Sequence, residues 1–229
     1  KTRKRFATYG LSAEADFSAQ DLKMSLGGVE FTVVHEGKPL GNLRLHLPGR
    51  HSATNALAAV AVAHELEIPF ARAAEALAGF TGIHRRFEVK GEPRGIMVID
   101  DYGHHPTEIR ATIGAIRDSW KRPLTVIFQP HRFTRTRDLF DEFLTAFEGA
   151  DRLVLTEIYP AGEDPIAGAT GEALYQAMKR KGHMELEFVP DKNQIAAQIA
   201  GKLNPSDMVL TLGAGDIYKV GDALVAALK

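Results

Sequence analysis

The sequence predicts an α/β protein whose carboxyl-terminal part is a doubly wound parallel sheet. From Phe87 onward, short apolar runs alternate with segments of helical periodicity. Alternating β and α elements of this length are typical of parallel sheets with helices on both faces. The residues before Phe87 follow another pattern, a hairpin-rich β section and then alanine-rich helices. We therefore predict two domains, residues 1–85 and residues 86–229.

The amino-terminal β section is predicted from branched and aromatic residues that lie between turns. The predicted strands are Arg5–Tyr9, Val29–Val34 and Leu43–Leu47, and the last of these alternates apolar and polar residues with period two. The segment His35–Pro39 contains glycine and proline, so we expect a turn there. Pro48–Gly49 ends the section.

Two helices are predicted next. Ser52–Leu66 is rich in alanine and has apolar residues at helical spacing, and Phe70–Phe80 continues in the same way. Pro69 separates the two helices, because proline cannot continue a helix that precedes it. Thr81 and Gly82 stop the second helix.

Five apolar runs in the carboxyl-terminal part are predicted strands, and helical patterns follow most of them. The predicted strands are Ile96–Ile99, Leu124–Phe128, Arg152–Thr156, Leu186–Val189 and Met208–Leu212. The predicted helices are Thr107–Trp120, Arg137–Phe147, Gly171–Lys181, Asn193–Leu203 and Ile217–Leu228.

The composition is that of an ordinary globular protein, and it excludes several kinds of function. Of the 229 residues, 45% are hydrophobic and 25% are charged. The formal net charge of -1 gives no electrostatic reason to expect a nucleic-acid or membrane partner. No apolar run approaches the ~20 residues of a membrane span. The absence of cysteine excludes disulfides and thiolate catalysis, and it is consistent with a reducing cytoplasm.

The first residues, Lys1–Arg5, are basic, but no apolar stretch follows them. A secretory signal peptide is therefore not expected. The sequence starts without methionine, and this suggests a piece of a longer protein.

Polar residues gather at the end of the predicted strand Ile96–Ile99. They are Asp100, Asp101, Tyr102, His104 and His105. Pro106 and Thr107 then open a helix. Ligands of open α/β sheets bind where strands end and helices begin. One such residue is often only a helix cap, but five at one strand end favour a binding or catalytic site.

Two pairs of polar residues lie upstream of this cluster. His51 and Asn55 are one helical turn apart and offer mixed donors and acceptors, which suit an adenine edge or a ribose. A cap followed by a polar first turn explains their spacing equally well. Arg85 and Arg86 lie at the predicted domain boundary, where adjacent arginines usually form a solvated surface.

A run of basic residues follows the predicted strand Leu124–Phe128. The run consists of His131, Arg132, Arg135 and Arg137. Arginine binds carboxylates through two parallel hydrogen bonds, so the run favours an anion site. The alternative is a helix face lined with salt bridges, since acidic residues follow closely. We favour the anion site because the arginines precede the body of the expected helix, with Arg137 on its face.

The turn Gly213–Asp216 follows a predicted strand and precedes a helix, as in a dinucleotide-binding fold. Tyr218 occupies the place of the third small residue of that fingerprint, so we reject NAD binding and expect a tight turn beside the same cleft.

Six short motifs together resemble the Mur ligase family. They are Gly49–Asn55, Arg85–Phe87, Asp100–Glu108, Phe128–Arg137, Leu155–Glu163 and Gly213–Ile217. They occur in the family's order and cover the chain from about Gly49 to the end. The resemblance implies a Rossmann-like carboxyl-terminal domain, preceded by the β-hairpin and helical remnant of a central ATPase domain.

The phosphate loop of that ATPase domain, Gly-x-x-x-x-Gly-Lys-Ser/Thr, does not occur in these residues. In Mur ligases this loop, the magnesium ligands and the domain that binds the UDP-sugar lie upstream of the matched region. The resemblance therefore implies that magnesium is held outside this chain, and we expect the isolated chain to be inactive.

The resemblance also implies roles for individual residues. ATP contacts fall to His51, Asn55, Arg86, Asp101 and Tyr102. The catalytic residues are His104 and Asp101, with His104 near the incoming amino acid, where an imidazole suits acid–base or charge-orienting work. The carboxylate of L-alanine falls to His131, Arg132 and Arg135. No residue is assigned to a metal.

The implied function is part of an ATP-dependent ligase of cytoplasmic peptidoglycan precursor synthesis, which joins L-alanine to UDP-N-acetylmuramate through an acyl phosphate. The implied partners are ATP, UDP-N-acetylmuramate and L-alanine, with no nucleic acid and no membrane. Two alternatives remain open: a sister ligase that attaches a peptide to the same sugar, and a non-catalytic module that binds a nucleotide or an amino acid. The pair Tyr102–Gly103 and the run Phe128–Arg137 favour the alanine enzyme.

Overall fold

The computed structural model describes residues 6–25, 27–182 and 185–229. Its contacts divide the chain into two compact units. The first contains the residues up to Gly82 together with Ala115–Trp120, and the second contains Ile83–Gly114 and Lys121–Lys229. The domain boundary between residues 85 and 86 stays a prediction.

The first unit is a four-stranded sheet with two helices. Its strands, in their order across the sheet, are β1 (Tyr9–Gly10), β2 (Phe17–Ser25), β3 (Gly28–His35) and β4 (Lys38–Leu45). Strands β2, β3 and β4 are antiparallel, whereas β1 pairs parallel with β2. The helices are α1 (Arg50–Glu65) and α2 (Phe70–Ala78). Phe17, Phe31 and Leu57 are fully buried in the core between the sheet and α1.

Both helices and the strand β3 agree with the sequence prediction, but three strands differ from it. Strand β4 begins at Lys38, inside the predicted turn His35–Pro39, and ends at Leu45, whereas Leu43–Leu47 was predicted. The predicted strand Arg5–Tyr9 is reduced to β1, and Arg5 lies outside the described residues. Strand β2 was not predicted, because a bulge between Gln20 and Lys23 interrupts its alternation of apolar and polar residues. Asp21, in that bulge, has a φ of 54°.

The second unit is a six-stranded sheet in the order β5-β6-β10-β7-β8-β9. Its strands are β5 (Glu88–Gly91), β6 (Met97–Asp101), β7 (Leu124–Phe128), β8 (Arg152–Leu155), β9 (Glu185–Phe188) and β10 (Met208–Leu212). Five strands are parallel, and only the edge strand β5 runs antiparallel to its neighbour. Every residue of β7 and β10 is buried, as expected for strands that are covered on both faces.

Helices cover both faces of this sheet, so the predicted doubly wound α/β class is confirmed. They are α3 (Pro106–Ser119), α4 (Phe133–Asp138), α5 (Phe140–Phe143), α6 (Gly171–Lys181), α7 (Ile195–Ala200) and α8 (Tyr218–Ala227). Val98 and Val209 face a core that α7 and α8 complete. Phe128 packs on the opposite face, against Phe143 and Phe147.

Three elements differ from the sequence prediction. The edge strand β5 was not predicted, because it is only four residues long and Val89 is 52% exposed. The predicted helix Arg137–Phe147 is wrong, since α4 begins at Phe133 and the chain leaves helical geometry at Leu139. The predicted helix Asn193–Leu203 is a short 3₁₀ turn followed by α7.

In the described part of the chain, no helix combines the length and the apolar character that a bilayer crossing requires.

Candidate functional site

Three neighbouring strands of the second unit end at the same level. In the parallel register, Leu212 of β10 pairs with Asp101 of β6 on one side and with Phe128 of β7 on the other. The residues that follow these strands therefore start side by side, at the carboxyl edge of the sheet. These residues belong to the motifs that the sequence analysis selected, and at this edge open α/β sheets bind ligands.

Asp101 is the last residue of β6, and both of its carboxylate oxygens accept hydrogen bonds from the backbone. Oδ2 accepts from the N–H of Phe87 at 2.8 Å, and Oδ1 accepts from the N–H of Gly103 at 2.7 Å. A Cβ atom at position 103 would lie 2.8 Å from Oδ1, so glycine lets the turn close on the carboxylate. The buried Asp101 side chain thus shapes the turn after β6.

Glu108, in the first turn of α3, organises the two histidines before the helix. Its Oε2 accepts hydrogen bonds from the N–H groups of His104 at 3.0 Å and His105 at 3.1 Å. Burial alone would raise the pKa of Glu108. The two N–H groups and the nearby charges of His104 and Arg86 outweigh burial and lower the pKa below its ordinary value. The carboxylate is therefore ionised at neutral pH.

The Arg85 side chain donates three hydrogen bonds within the site. Its Nε donates to Asp100 Oδ2 at 3.0 Å, and its two terminal nitrogens donate to the carbonyl groups of Gly215 at 2.9 Å and Gly213 at 2.6 Å. Asp100 is completely buried, and its other oxygen accepts a hydrogen bond from the Thr211 hydroxyl at 2.6 Å. Arg85 therefore links the end of β6 to the turn after β10, and it is not the solvated residue that its sequence neighbourhood suggests.

Arg86 and Tyr102 lie next to this link. The Arg86 side chain is 46% exposed, and its guanidinium carbon is 5.3 Å from the centre of the Tyr102 ring. One of its nitrogens lies 3.6 Å from Glu108 Oε1. Arg85 contacts the same ring at 5.1 Å. Arg86 thus combines a planar cation with an exposed position, as an ATP-contacting arginine requires.

His131 lies between Tyr159 and His104. Its ring is stacked on Tyr159 at a centroid distance of 5.5 Å and an interplanar angle of 8°, and the centre of the His104 ring is 5.7 Å away. Burial is the largest cause that lowers the pKa of His131, from 6.5 to about 4. The charges of Arg135, His104 and Arg132 add to the effect, and Glu163 opposes it. The ring is therefore neutral at pH 7.

Arg132 is held at the amino end of α4 in a left-handed conformation, with a φ of 74°. Its N–H donates to the Tyr159 carbonyl at 2.9 Å, and its NH1 lies 3.5 Å from Glu163 Oε1. Glu163 also accepts hydrogen bonds from the N–H and the hydroxyl of Thr134, which lower the pKa of Glu163. The Arg132 side chain is 47% exposed, so its guanidinium can reach a ligand.

The expectation that the three arginines precede the helix is wrong. Arg132 is the N-cap of α4, and Arg135 and Arg137 lie inside the helix. The helix begins early because Glu163, from a segment 29 residues away, satisfies the N–H of Thr134 in the first turn. A capping group so distant in sequence cannot be recognised from local spacing.

Only one of the two arginines inside α4 joins the site. Arg135 NH1 donates to the His131 carbonyl at 3.0 Å and lies 3.1 Å from His131 Nδ1. Arg137 is more than half exposed and pairs with Asp138 at 2.8 Å, in agreement with its prediction as a helix-face residue.

The turn after β10 packs tightly against the same site. A Cβ atom at position 215 would lie 2.6 Å from Cγ of Tyr159 and 2.7 Å from Oε1 of Gln129. Glycine at position 215 is therefore required by close packing, which is the role we expected for this turn. Gln129 is buried, and its Oε1 accepts no hydrogen bond from the described residues.

In the first unit, His51 and Asn55 both lie in the first turns of α1, one turn apart. Asn55 is exposed and His51 is partly buried. Ser52 lies between them in sequence and is buried. Its hydroxyl donates to the Pro48 carbonyl at 2.7 Å. The Ser52 hydroxyl is thus used in closing the turn before the helix.

Several residues of the site were not predicted to belong to it: Arg85, Gln129, Tyr159 and Glu163. Asp100 was predicted only as a member of the polar cluster after β6, without a role of its own. Tyr159 and Glu163 stand in a motif that contributed to the family resemblance, and this was the one available signal. Tyr159 contacts His131 from 28 positions away, through an isolated parallel bridge. Sequence spacing cannot predict such a contact.

Comparison with known proteins matches both units to one family. The family described as "Mur ligase, glutamate ligase domain" matches residues 85–215, and the one described as "Mur ligase middle domain" matches residues 1–63. The larger of these matches covers more than half of the chain.

Several curated proteins are similar over the whole chain. The UDP-N-acetylmuramate–L-alanine ligase of Geotalea uraniireducens is 51% identical over 227 residues, which are 99% of this chain and 50% of that protein. The protein of the same name from Geobacter sulfurreducens is 47% identical over 230 residues, again 50% of its length. The chain thus spans about half the length of the curated relatives it matches.

Solved structures have the same fold. The UDP-N-acetylmuramate-alanine ligase of Thermotoga maritima aligns with a TM-score of 0.81 at 30% identity, over 96% of this chain and 47% of that one. A murein peptide ligase of Psychrobacter arcticus aligns with a TM-score of 0.64 at 23% identity, over 96% of this chain and 46% of that one. The second likeness concerns the fold alone.

Proposed function

The chain belongs to the Mur ligase family, and we propose that it is part of an ATP-dependent ligase that joins L-alanine to UDP-N-acetylmuramate. The reaction belongs to peptidoglycan precursor synthesis in the cytoplasm. The observation that carries the proposal is the basic cluster of His131, Arg132 and Arg135 beside His104. A small amino acid offers only its carboxylate and its amine as polar groups. The cluster supplies hydrogen-bond donors for the carboxylate, and the neighbouring imidazole of His104 suits the amine.

The proposed chemistry is the formation of an amide through an acyl phosphate. ATP phosphorylates the carboxylate of UDP-N-acetylmuramate, the amine of alanine attacks the acyl carbon, and phosphate leaves. Arg132 and Arg135 hold the alanine carboxylate, and His104 lies at the amine. Arg86, Asp101 and Tyr102 are the proposed ATP contacts of the second unit. An ATP contact of His51 and Asn55 stays a prediction from the sequence.

Magnesium is assigned no step in this proposal. Among the described residues, no three His, Asp or Glu side chains are grouped as metal ligands. The metal of the reaction is proposed to bind to other residues of the whole ligase.

The test is a turnover assay of the full-length ligase that contains this sequence. We expect phosphate release that requires ATP, magnesium, UDP-N-acetylmuramate and L-alanine, and a peptide that begins with alanine should replace free alanine poorly. The isolated 229-residue chain is the matched control and should release no phosphate above background. A preference for the peptide would indicate the sister ligase. Alanine-dependent turnover by the isolated chain would contradict the proposal that residues outside this chain are required for the reaction.

Replacing Asp101 by alanine in the full-length ligase should raise the Michaelis constant for ATP. It should also lower the free energy of unfolding by about 1–3 kcal/mol, because it removes the carboxylate that accepts from the N–H groups of Phe87 and Gly103, the second of which is buried. Asp101→Asn keeps one carbonyl oxygen and should retain more of the stability. The measurements are steady-state kinetics with varied ATP and urea unfolding. Lower stability with unchanged ATP kinetics would show that Asp101 only shapes the turn.

A further inference from the structure

Two histidines of the site each bind, through Nδ1, a partner that fixes the position of the ring proton. His104 Nδ1 is 2.9 Å from the carbonyl oxygen of Tyr102. A carbonyl oxygen only accepts hydrogen bonds, so Nδ1 of His104 carries the proton. The carboxylate of Glu108, 3.6 Å from the same nitrogen, favours the same arrangement. In the neutral His104 ring, Nε2 is therefore an acceptor.

His131 has the opposite arrangement. Its Nδ1 is 3.1 Å from NH1 of Arg135. A guanidinium stays protonated and only donates, so Nδ1 of His131 must accept. The proton of the neutral ring is then on Nε2, which is a donor. The same Arg135 nitrogen donates its second hydrogen to the His131 carbonyl at 3.0 Å, and this holds the guanidinium in place.

Neither Nε2 atom has a hydrogen-bond partner among the residues that the structure describes. The two ring centres are 5.7 Å apart. One acceptor and one donor thus remain open at neighbouring rings. This pair of groups matches an α-amino acid, which carries a proton-donating amine and an accepting carboxylate on a single carbon atom.

We propose that His104 and His131 are held in opposite tautomers and bind the two ends of the incoming amino acid, the amine at Nε2 of His104 and the carboxylate at Nε2 of His131. The proposal rests on the proposed function for the identity of the ligand, but the tautomers themselves do not depend on it. It makes Arg135 a positioning residue for His131, in addition to any contact with the carboxylate.

The two tautomers divide the chemistry between the rings. His104 Nε2 takes one proton from the ammonium group, which frees the electron pair of the amine. That pair forms the C–N bond, the bond from the acyl carbon to the phosphate oxygen breaks, and phosphate leaves with its electrons. The second proton of the amine leaves with the phosphate. His131 cannot replace His104, because its Nε2 already carries a proton.

The groups around both rings are consistent with His104 as the proton acceptor and His131 as the donor near pH 7. The His131 ring faces Arg132, Arg135, Glu163 and His104, and its lowered pKa keeps it neutral. The His104 ring faces Tyr102, Glu108 and His131. His131 thus remains a neutral donor with a fixed tautomer at pH 7.

The first test is ¹⁵N NMR of the imidazole rings in the chain itself, because it needs no substrate. At pH 8 the unprotonated nitrogen, which resonates well downfield, should be Nε2 in His104 and Nδ1 in His131. In Arg135→Ala, His131 should become a mixture of tautomers and should titrate at higher pH, whereas Arg137→Ala should leave both rings unchanged. The same tautomer in both rings of the unsubstituted chain would overturn the proposal, whatever the enzyme's substrate is.

The second test is alanine kinetics of position 131 variants in the full-length ligase. A glutamine amide nitrogen approximates the position of Nε2, and an asparagine amide nitrogen approximates that of Nδ1. His131→Gln should therefore keep a Michaelis constant for alanine within about threefold of the unsubstituted enzyme, while His131→Asn should raise it about ten- to a hundredfold. Equal effects of the two variants would overturn the role of the Nε2 donor. Correct tautomers without any effect on alanine would show that the geometry is right and the proposed substrate is wrong.

Discussion

Replacing Arg85 by alanine is expected to lower the free energy of unfolding by about 3–5 kcal/mol. The substitution removes the guanidinium that donates to Asp100 Oδ2, in a residue with no exposed surface. An unpaired buried carboxylate is costly, and the carbonyl groups of Gly213 and Gly215 lose their donors as well. The measurement is urea unfolding of the chain, followed by the amide NMR signals of β6 and β10.

Two further variants separate this explanation from a general effect of losing an arginine. Arg86→Ala removes an arginine that is 46% exposed, with a long ion pair to Glu108 and a contact with the Tyr102 ring, so its effect on stability should stay below about 1 kcal/mol. Asp100→Asn in the Arg85→Ala background removes the buried charge and should recover part of the loss. If Arg85→Ala and Arg86→Ala lower the free energy of unfolding equally, the hydrogen bonds of Arg85 between β6 and the turn after β10 do not contribute the predicted stability.

The carboxyl-terminal sheet was predictable because its central strands have few alternatives. Leu124–Phe128 and Met208–Leu212 are uninterrupted apolar runs between turns, and both strands occur in the structure with the predicted bounds. The strand β2 was missed for the opposite reason, since its bulge at Gln20–Lys23 breaks the period of two. Local pattern thus predicts the buried centre of a sheet better than a solvated and irregular strand.

The candidate site was predictable as a place and only partly as a set of contacts. Residues at the ends of β6, β7 and β10 converge because parallel strands end at one edge. The bonds that shape the site join residues far apart in sequence. Arg85 bonds to Gly215, 130 positions away, and Thr134 to Glu163, 29 positions away. Nothing in the spacing of these residues indicates their partners, so Arg85 looked like surface charge until its contacts were known.

Replacing Arg132 by alanine in the full-length ligase is expected to raise the Michaelis constant for L-alanine about ten- to a hundredfold. A charge-assisted hydrogen bond contributes roughly 1.5–3 kcal/mol, and alanine has few other polar groups through which to recover it. The single long contact of Arg132 with Glu163, at 3.5 Å and half exposed, contributes little in the free protein, so the guanidinium can turn to a ligand at small cost. Arg132→Lys keeps the charge but loses the planar pair of donors and should recover only part of the affinity.

The control for this prediction is Arg137→Ala, which removes an exposed arginine from the same helix and should change neither Michaelis constant by more than about twofold. The constant for ATP should change far less than that for alanine in Arg132→Ala, because the proposed ATP contacts come from His51, Asn55, Arg86 and Asp101. Steady-state kinetics with alanine and ATP varied separately decide the matter. Equal damage to both constants would place Arg132 on the phosphates, since a guanidinium binds phosphate and carboxylate with the same donors. No damage to either constant would leave Arg132 as surface charge and would remove the main support for the alanine site.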